Sequence, residues 1–237
     1  MSTVIDFHTH ILPGVDDGSA SLEESIAMLR LEAEQGVKRL VATPHFYALH
    51  DSPERFLRRR AEAAQRLGEE IQKYGDLPKI ALGAEVYFFK GISESDAISQ
   101  LTIGSGRCIL IEMPPPPWTD SMYRELEALS DRRGMIPIIA HVDRYIAPFR
   151  TYQIPQKLAE LPVLVQANAE FFLHRSTAPM ALRMLKHGDI HLLGSDCHNT
   201  RSRKPNLGQA LQVIENRLGE RAIQWIQANE RNVFSND

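Results

Sequence analysis

Imidazole and carboxylate side chains recur along this chain in short phrases of similar form. His8 and His10 lie in His8-Thr9-His10, followed by Asp16-Asp17. His45 follows Thr43-Pro44, Glu85 follows Gly83-Ala84, Glu112 follows Leu110-Ile111, and His141 follows Ile139-Ala140. Asp196 and His198 close the series in Ser195-Asp196-Cys197-His198. Residues two apart on a strand face the same side, so His8 and His10 can reach one ion, and Asp196 and His198 repeat that spacing. Nine such donors, counting one of the Asp16-Asp17 pair, are too many for one ion. Three divalent ions, each held by about three side chains with some bridging, would use them all. Imidazole mixed with carboxylate suits manganese, iron or zinc rather than calcium or magnesium, which prefer oxygen ligands.

The charge balance points to the substrate. Three divalent ions carry +6, while four ionised carboxylates (Glu85, Glu112, Asp196 and one of the Asp16-Asp17 pair) carry −4. A surplus of that sign suits a phosphate ester, and clusters of divalent ions make water nucleophilic near neutral pH.

These donors need a frame that brings distant segments together. Each phrase ends a short apolar run: Val4-Ile5-Asp6-Phe7, Leu40-Val41-Ala42, Ile80-Ala81-Leu82, Cys108-Ile109-Leu110-Ile111, Ile136-Pro137-Ile138-Ile139-Ala140 and Ile190-His191-Leu192-Leu193. A further run, Val163-Leu164-Val165, leads instead to Gln166 and Asn168. Amphipathic segments lie between the runs. Ser21-Leu22-Glu23-Glu24 reads as a capping box and Gly36 as a stop; Ser52-Pro53 opens a helix carrying Phe56, Leu67 and Ile71 and stopping at Gly75. Further helices are expected through Leu126 and Leu129 to Gly134, over 180–186 and 207–218, and around Ile223 and Ile226. Pro114-Pro115-Pro116-Pro117 must be a stiff loop. Apolar strands alternating with helices predict an α/β fold with one parallel sheet, and seven such units favour a single-domain barrel spanning 1–237. The C-terminal strand ends of such a barrel form one rim, where its chemistry is kept.

Composition excludes several classes. The 237 residues are 43% hydrophobic with a net charge of −3, enough for a core and without the basic excess of a nucleic-acid binder. Two cysteines, no signal-like start and no apolar run of membrane-span length predict a soluble, cytoplasmic protein. Arg58-Arg59-Arg60 reads as a solvated helix face, and His50, His174, His187 and His191 as exposed or core residues. Cys197 and Arg203 fit C-x-x-x-x-x-R, the signature of thiolate-dependent tyrosine phosphatases. The intervening residues contain no glycine to wrap around phosphate, and alternation turns Cys197 away from Asp196 and His198.

The phrases D-F-H-T-H-I-L-P-G-V-D-D-G, T-P-H-F, G-A-E-V-Y, I-E-M-P, A-H-V-D-R-Y, Q-A-N-A and G-S-D-C-H-N, in this order, resemble the polymerase-and-histidinol-phosphatase (PHP) phosphoesterases. The closer resemblance is to their branch of bacterial tyrosine phosphatases encoded with capsule and exopolysaccharide genes. It implies a distorted seven-stranded barrel and three divalent ions, manganese first, held by His8, His10, Asp17, His45, Glu85, Glu112, His141, Asp196 and His198. It selects Asp17 over Asp16, which placement alone leaves open. It also implies that Arg144 and Arg203 hold phosphate, and that the substrate is a tyrosine-phosphorylated protein, the tail of a bacterial tyrosine kinase. Asp143 stands where that branch has Glu, and the proline run is unusual; both bear on the substrate mouth. Phe46, Tyr47, Tyr87, Phe88 and Trp118 are candidates to flank a tyrosine ring. The competing readings are a small-molecule phosphatase of the histidinol phosphate type, which would share the site, and a metal-binding scaffold without activity.

Overall fold

The structure, a computed structural model, describes residues 4–148 and 153–234. Among them are the strands β1 (Ile5–Thr9), β2 (Arg39–Ala42), β3 (His45–Phe46), β4 (Lys79–Leu82), β5 (Glu85–Tyr87), β6 (Cys108–Glu112), β7 (Ile136–Ile139), β8 (Leu164–Asn168) and β9 (Leu192–Gly194). The helices are α1 (Leu22–Glu34), α2 (Pro53–Ile71), α3 (Asp120–Arg133), α4 (Asp143–Ile146), α5 (Gln153–Ala159), α6 (Glu170–Leu173), α7 (Ala178–His187), α8 (Leu207–Leu218) and α9 (Glu220–Phe234). Two curled sheets result, β1-β2-β4 and β3-β5-β6-β7-β8-β9, and every named ladder is parallel.

Where one sheet of seven strands was expected, two of the runs are broken. Pro44 has no N–H to donate, so the run through β2 ends at Ala42 and the chain restarts as β3, with His45 opposite Glu85. The matching break between β4 and β5 is at Gly83, where a Cβ would stand 3.2 Å from Ile103 and 3.3 Å from Val41. Arg60 is a correction to the solvated-face reading. Its guanidinium donates to the Gly83 carbonyl at 2.7 Å and tethers α2 to that break. The outer strands β1 and β9 meet through a parallel bridge between Thr9 and Cys197. There the Asp196 N–H donates to the His8 carbonyl at 2.8 Å and the His10 N–H to the Cys197 carbonyl at 2.9 Å.

Helix ends follow local chemistry. The Ser21 hydroxyl accepts from the Glu24 N–H at the start of α1, and Ser52 from the Arg55 N–H at the start of α2. Gly134, at φ 62°, ends α3 in the left-handed conformation its residue type permits. α2 stops at Ile71, short of the expected Gly75. The proline run is a loop, as expected. His191 lies just before β9 rather than inside it, and its Nδ1 accepts from the Val165 N–H.

Three apolar clusters hold the site in place. The largest lies between the second sheet and α3, α6, α7 and α8, and a second packs α1 and α2 on β2. The third joins Phe7, Val41, Leu110, Ile138 and Leu192, contributed by both sheets, with Val233 of α9. Each such side chain contributes roughly 1.5–3 kcal/mol when fully buried. Phe234 packs on Phe7 with ring centroids 5.6 Å apart, and the buried Glu230 accepts from the Ile5 N–H at 2.9 Å. α9 therefore secures the start of β1, three residues before His8.

Candidate metal centre

All nine expected side chains converge. His8 and His10 turn their Nε2 atoms to within 3.1 Å of each other, and Glu85 Oε2 lies 3.1 and 3.3 Å from them. Asp196 Oδ1 lies 3.5 Å from His10 Nε2 and 3.6 Å from both His8 Nε2 and His198 Nδ1. His45 Nδ1 is 3.0 Å from Glu85 Oε2, and Asp17 Oδ1 is 3.5 Å from the Nε2 atoms of His45 and His198. His141 Nε2 stands 2.8 Å from Glu85 Oε1 and 3.8 Å from Glu112 Oε1. Three sets of donor atoms lie within 4.8 Å of one another: His10, Asp17, His45 and His198; His8, His10 and Glu85; His45, Glu85 and Glu112. His141 and Asp196 join through their contacts to these sets.

The donor atoms fit divalent ions. Among the described residues, His45 Nδ1, Glu85 Oε2, Glu112 Oε2, His141 Nδ1 and His198 Nε2 are buried without a hydrogen-bond partner. Unpaired buried polar atoms are costly, and four of these lie within 4 Å of another donor of the cluster, which His141 faces with Nε2. The outward-facing nitrogen of several imidazoles is already held. His10 Nδ1 lies 2.7 Å from Asp16 Oδ2, His198 Nδ1 3.0 Å from the Asp196 carbonyl, and His8 Nδ1 3.3 Å from Gln166 Oε1. An acceptor at Nδ1 fixes the proton there and leaves the Nε2 lone pair facing the cluster, the arrangement a metal ligand needs.

The electrostatics agree. Burial pulls His8 and His10 down, yet surrounding carboxylates outweigh it and both imidazoles bind protons more readily than usual. Burial pushes Glu85 and Asp196 up, yet the imidazoles, with Arg144 beside Asp196, hold both well below the carboxylate range. His198, buried and facing His10, falls to about 4. Glu112 rises through burial and the charge of Glu85. Carboxylate charge strong enough to draw protons onto buried imidazoles also draws divalent cations, which displace those protons.

The backbone is bent to this purpose. His141 (φ 31°) and Asp196 (φ 53°) are non-glycine residues in the left-handed region, each costing about 1–3 kcal/mol. The His141 N–H is held by Gln166 Oε1 at 2.7 Å and the Asp196 N–H by the His8 carbonyl. Gly194 sits where a Cβ would lie 2.5 Å from that of His8.

Asp16 and Asp17 divide two roles. The Asp16 side chain, 6% exposed, accepts from the His45 N–H at 2.9 Å and the Gly18 N–H at 3.0 Å besides holding His10. Asp17 is 67% exposed and points its oxygen at the cluster. Gln166 and Asn168, noted in sequence only as the polar end of their strand, are positioning residues: Gln166 bridges His8 and His141, and Asn168 donates to Asp196 at 3.1 Å. Asp143 accepts from the Asn168 N–H, so it supports β8. Sequence reading missed the buried pair Asp6 and Glu32. Asp6 Oδ1 accepts from the His8 and Ser195 N–H groups; burial raises both carboxyls, and Asp6 raises Glu32 further. Parity groups Asp6 with His8 and His10, but β1 shifts register between Asp6 and Thr9, so spacing alone does not reveal that Asp6 turns to Glu32 instead.

Arg144, on the short α4, and Arg203 both donate to Asp196, the latter at 2.7 Å. Cys197 is fully buried, with its thiol toward Glu32 and raised by burial, which removes it as a nucleophile. Phe46 and Trp118 belong to the core, while Tyr47 is 37% exposed and stacks near His45 and Tyr87 at 5.3 and 5.6 Å.

The fold and this cluster define a parallel α/β protein with a site able to hold several divalent ions. The chain belongs to the capsular polysaccharide synthesis CpsB/CapC family, whose model matches residues 4–234. It is 31% identical over 229 residues to the tyrosine-protein phosphatase CpsB of Streptococcus pneumoniae, covering 91% of each chain. It is 30% identical over 226 residues to the tyrosine-protein phosphatase YwqE of Bacillus subtilis, covering 91% of this chain and 85% of the relative. A solved structure from the pair YwqE and CpsB, described as metal-dependent tyrosine phosphatases, superposes with a TM-score of 0.85 at 26% identity, over 99% of this chain and 95% of the other.

Proposed function

We propose that this protein is a metal-dependent protein-tyrosine phosphatase whose nine converging donors hold three divalent ions, manganese by preference. The observation that carries the reading is the cluster itself: donors drawn from seven segments of chain, with buried unpaired atoms aimed at one another. The CpsB and YwqE relatives supply the substrate class. His8, His10, Asp17, His45, Glu85, Glu112, His141, Asp196 and His198 are the ligands in this reading. Divalent ions held there would supply water acidic enough to attack near neutral pH and positive charge for phosphoryl oxygens.

The rest is the work of this chain's own side chains. Arg144 and Arg203 each spend one Nη2 donor on Asp196 and keep the remainder of their forks for phosphate oxygens at the edge of the cluster. Both are partly exposed, so substrate can reach them. Tyr47 stands beside His45 and Tyr87 beside Tyr47, where the two can flank a phenyl ring. The phenolate leaving group, with a pKa near 10, departs with less help from an acid than an alkyl alcohol needs. The split strands and the β1–β9 bridge support reading the two sheets as one distorted seven-stranded barrel of PHP type, a single domain over 1–237. The partner is the phosphotyrosine-bearing tail of a bacterial tyrosine kinase controlling capsule or exopolysaccharide synthesis, and the setting is the cytoplasm. Among the described residues no helix is long and apolar enough to cross a membrane.

The test compares kcat/KM of manganese-loaded protein on a phosphotyrosine peptide and on histidinol phosphate. A clear preference for the peptide is expected. Preference for histidinol phosphate would reassign the site to small-molecule hydrolysis, and turnover of neither would remove the enzymatic reading.

A further inference from the structure

Beside the metal centre, on the far side of Asp196, lies a cavity of about 470 Å³. Asp196, Arg144 and Arg203 line it. The loop after His198 brings Arg201 and Lys204 to the same space. The cavity is therefore continuous with the edge of the cluster, at the side where the two phosphate-facing arginines stand.

Arg201 and Lys204 are exposed, and the charges that line the cavity differ in their commitments. Arg144 and Arg203 are engaged by Asp196. Asn206 Nδ2 donates to Glu170 Oε2 at 3.1 Å, and Asp143 accepts from the Asn168 N–H. Among the described residues, Arg201 and Lys204 have no ion pair and no side-chain hydrogen bond. The loop carrying them is nevertheless built. Asn199 Oδ1 accepts from the Arg201 N–H at 2.9 Å and the Arg203 N–H at 3.1 Å, and the Arg203 carbonyl accepts from the His198 and Asn199 N–H groups. Two uncommitted cations are thus presented on an ordered loop next to a catalytic centre, in a chain whose net charge is −3.

We propose that this cavity is a subsite for a second anionic group on the substrate, carried by a residue near the phosphotyrosine, with Arg201 and Lys204 as its specificity-determining residues. The proposal rests on the phosphotyrosine phosphatase reading. The group is a carboxylate or a second phosphate; both match an Arg fork and a Lys ammonium. Arg203 serves the phosphoryl group under attack, and Arg201 and Lys204, which precede and follow it in the loop, serve the flanking anion. Attraction of this kind acts on encounter and on ground-state binding, so it enters KM and is screened by salt.

The experiment uses manganese-loaded full chain and matched phosphotyrosine peptides whose flanking residues are glutamine, glutamate or a second phosphotyrosine. Arg201→Gln/Lys204→Gln is compared with the native chain. With two partly exposed contacts, the native chain should favour the anionic peptides by about three- to tenfold in kcat/KM, mainly through KM. The double variant should lose that preference and keep native rates on the glutamine peptide and on p-nitrophenyl phosphate. A non-hydrolysable phosphonate version of each peptide gives the same comparison as dissociation constants. The glutamate and diphosphorylated arms tell carboxylate from phosphate. Equal kcat/KM on all peptides in the native chain, or an anionic preference that survives in the double variant, would overturn the subsite while leaving the phosphatase reading intact. No turnover of any phosphotyrosine peptide by the native chain would instead overturn the reading on which it rests.

Discussion

Replacing Asp16 by asparagine separates a residue that positions a ligand from its neighbour that is one. Asp16 accepts from three donors, His10 Nδ1 at 2.7 Å, the His45 N–H at 2.9 Å and the Gly18 N–H at 3.0 Å. An amide has one acceptor oxygen. Placed to keep His10 and His45, it turns its NH2 group against the Gly18 N–H; placed the other way, it loses two donors. The native contacts are charge-assisted, so the metal-free variant should lose about 1–3 kcal/mol of stability. Opposing burial, the bond from His10 and its charge hold Asp16 below the carboxylate range, so its contribution is present above the unfolded value of about 3.9 and fades as pH falls below it. The deficit of the variant should shrink correspondingly in acid. With the Nδ1 proton of His10 less firmly placed, metal affinity should fall by about 10–100-fold, or ~1.4–2.8 kcal/mol. Asp17→Asn offers the contrast. Its carboxylate is 67% exposed and makes no short contact, so stability should hold while one ion is lost from the His10–His45–His198 group. Thermal unfolding of metal-free protein and titration against a competing chelator measure both. Native stability and affinity in Asp16→Asn, or a greater loss of stability in Asp17→Asn, would refute the division of roles.

Arg144→Ala should lower kcat/KM for p-nitrophenyl phosphate by about 10²–10³-fold, the cost of losing one charge-stabilising donor, with metal content unchanged; an unaltered kcat/KM would free Arg144 of this role. Cys197→Ser should keep at least about half of native activity, because a buried thiol with a raised pKa is inert. Loss of turnover with metal still bound would revive thiolate chemistry. Glu230, pushed up to about 7 by burial, binds a proton more readily in the folded chain than in the unfolded one. Its contribution is therefore full below about 4.3 and lost as pH rises through 7, by ~4 kcal/mol at most. Glu230→Gln should flatten the pH dependence of unfolding over that interval, and an unchanged slope would contradict the assignment.

The site was legible in the sequence because strand parity and strand ends are one-dimensional signals. His8 with His10 and Asp196 with His198 could be paired from spacing alone, and the capped starts of α1 and α2 could be read from Ser21 and Ser52. What spacing does not carry is the third dimension. Nothing local distinguishes Asp16 from Asp17, since their roles depend on His10, His45 and His198, which lie on other segments. Arg60 looked like a solvated charge because its partner, the Gly83 carbonyl, is exposed by a strand break that a run of apolar residues conceals. Glu32 looked like one more helix carboxylate, and only the packing of α1 against Asp6 and Cys197 makes it a buried acid.

A cluster of three divalent ions held by nine side chains fixes the metal content of each chain. Protein stripped by exhaustive chelation and reloaded with manganese should, after removal of free metal, contain three ions per chain by mass spectrometry of the metal, with turnover absent in the stripped protein and restored on loading. Fully active protein containing one ion or none per chain, or turnover that survives complete removal of metal, would contradict the account.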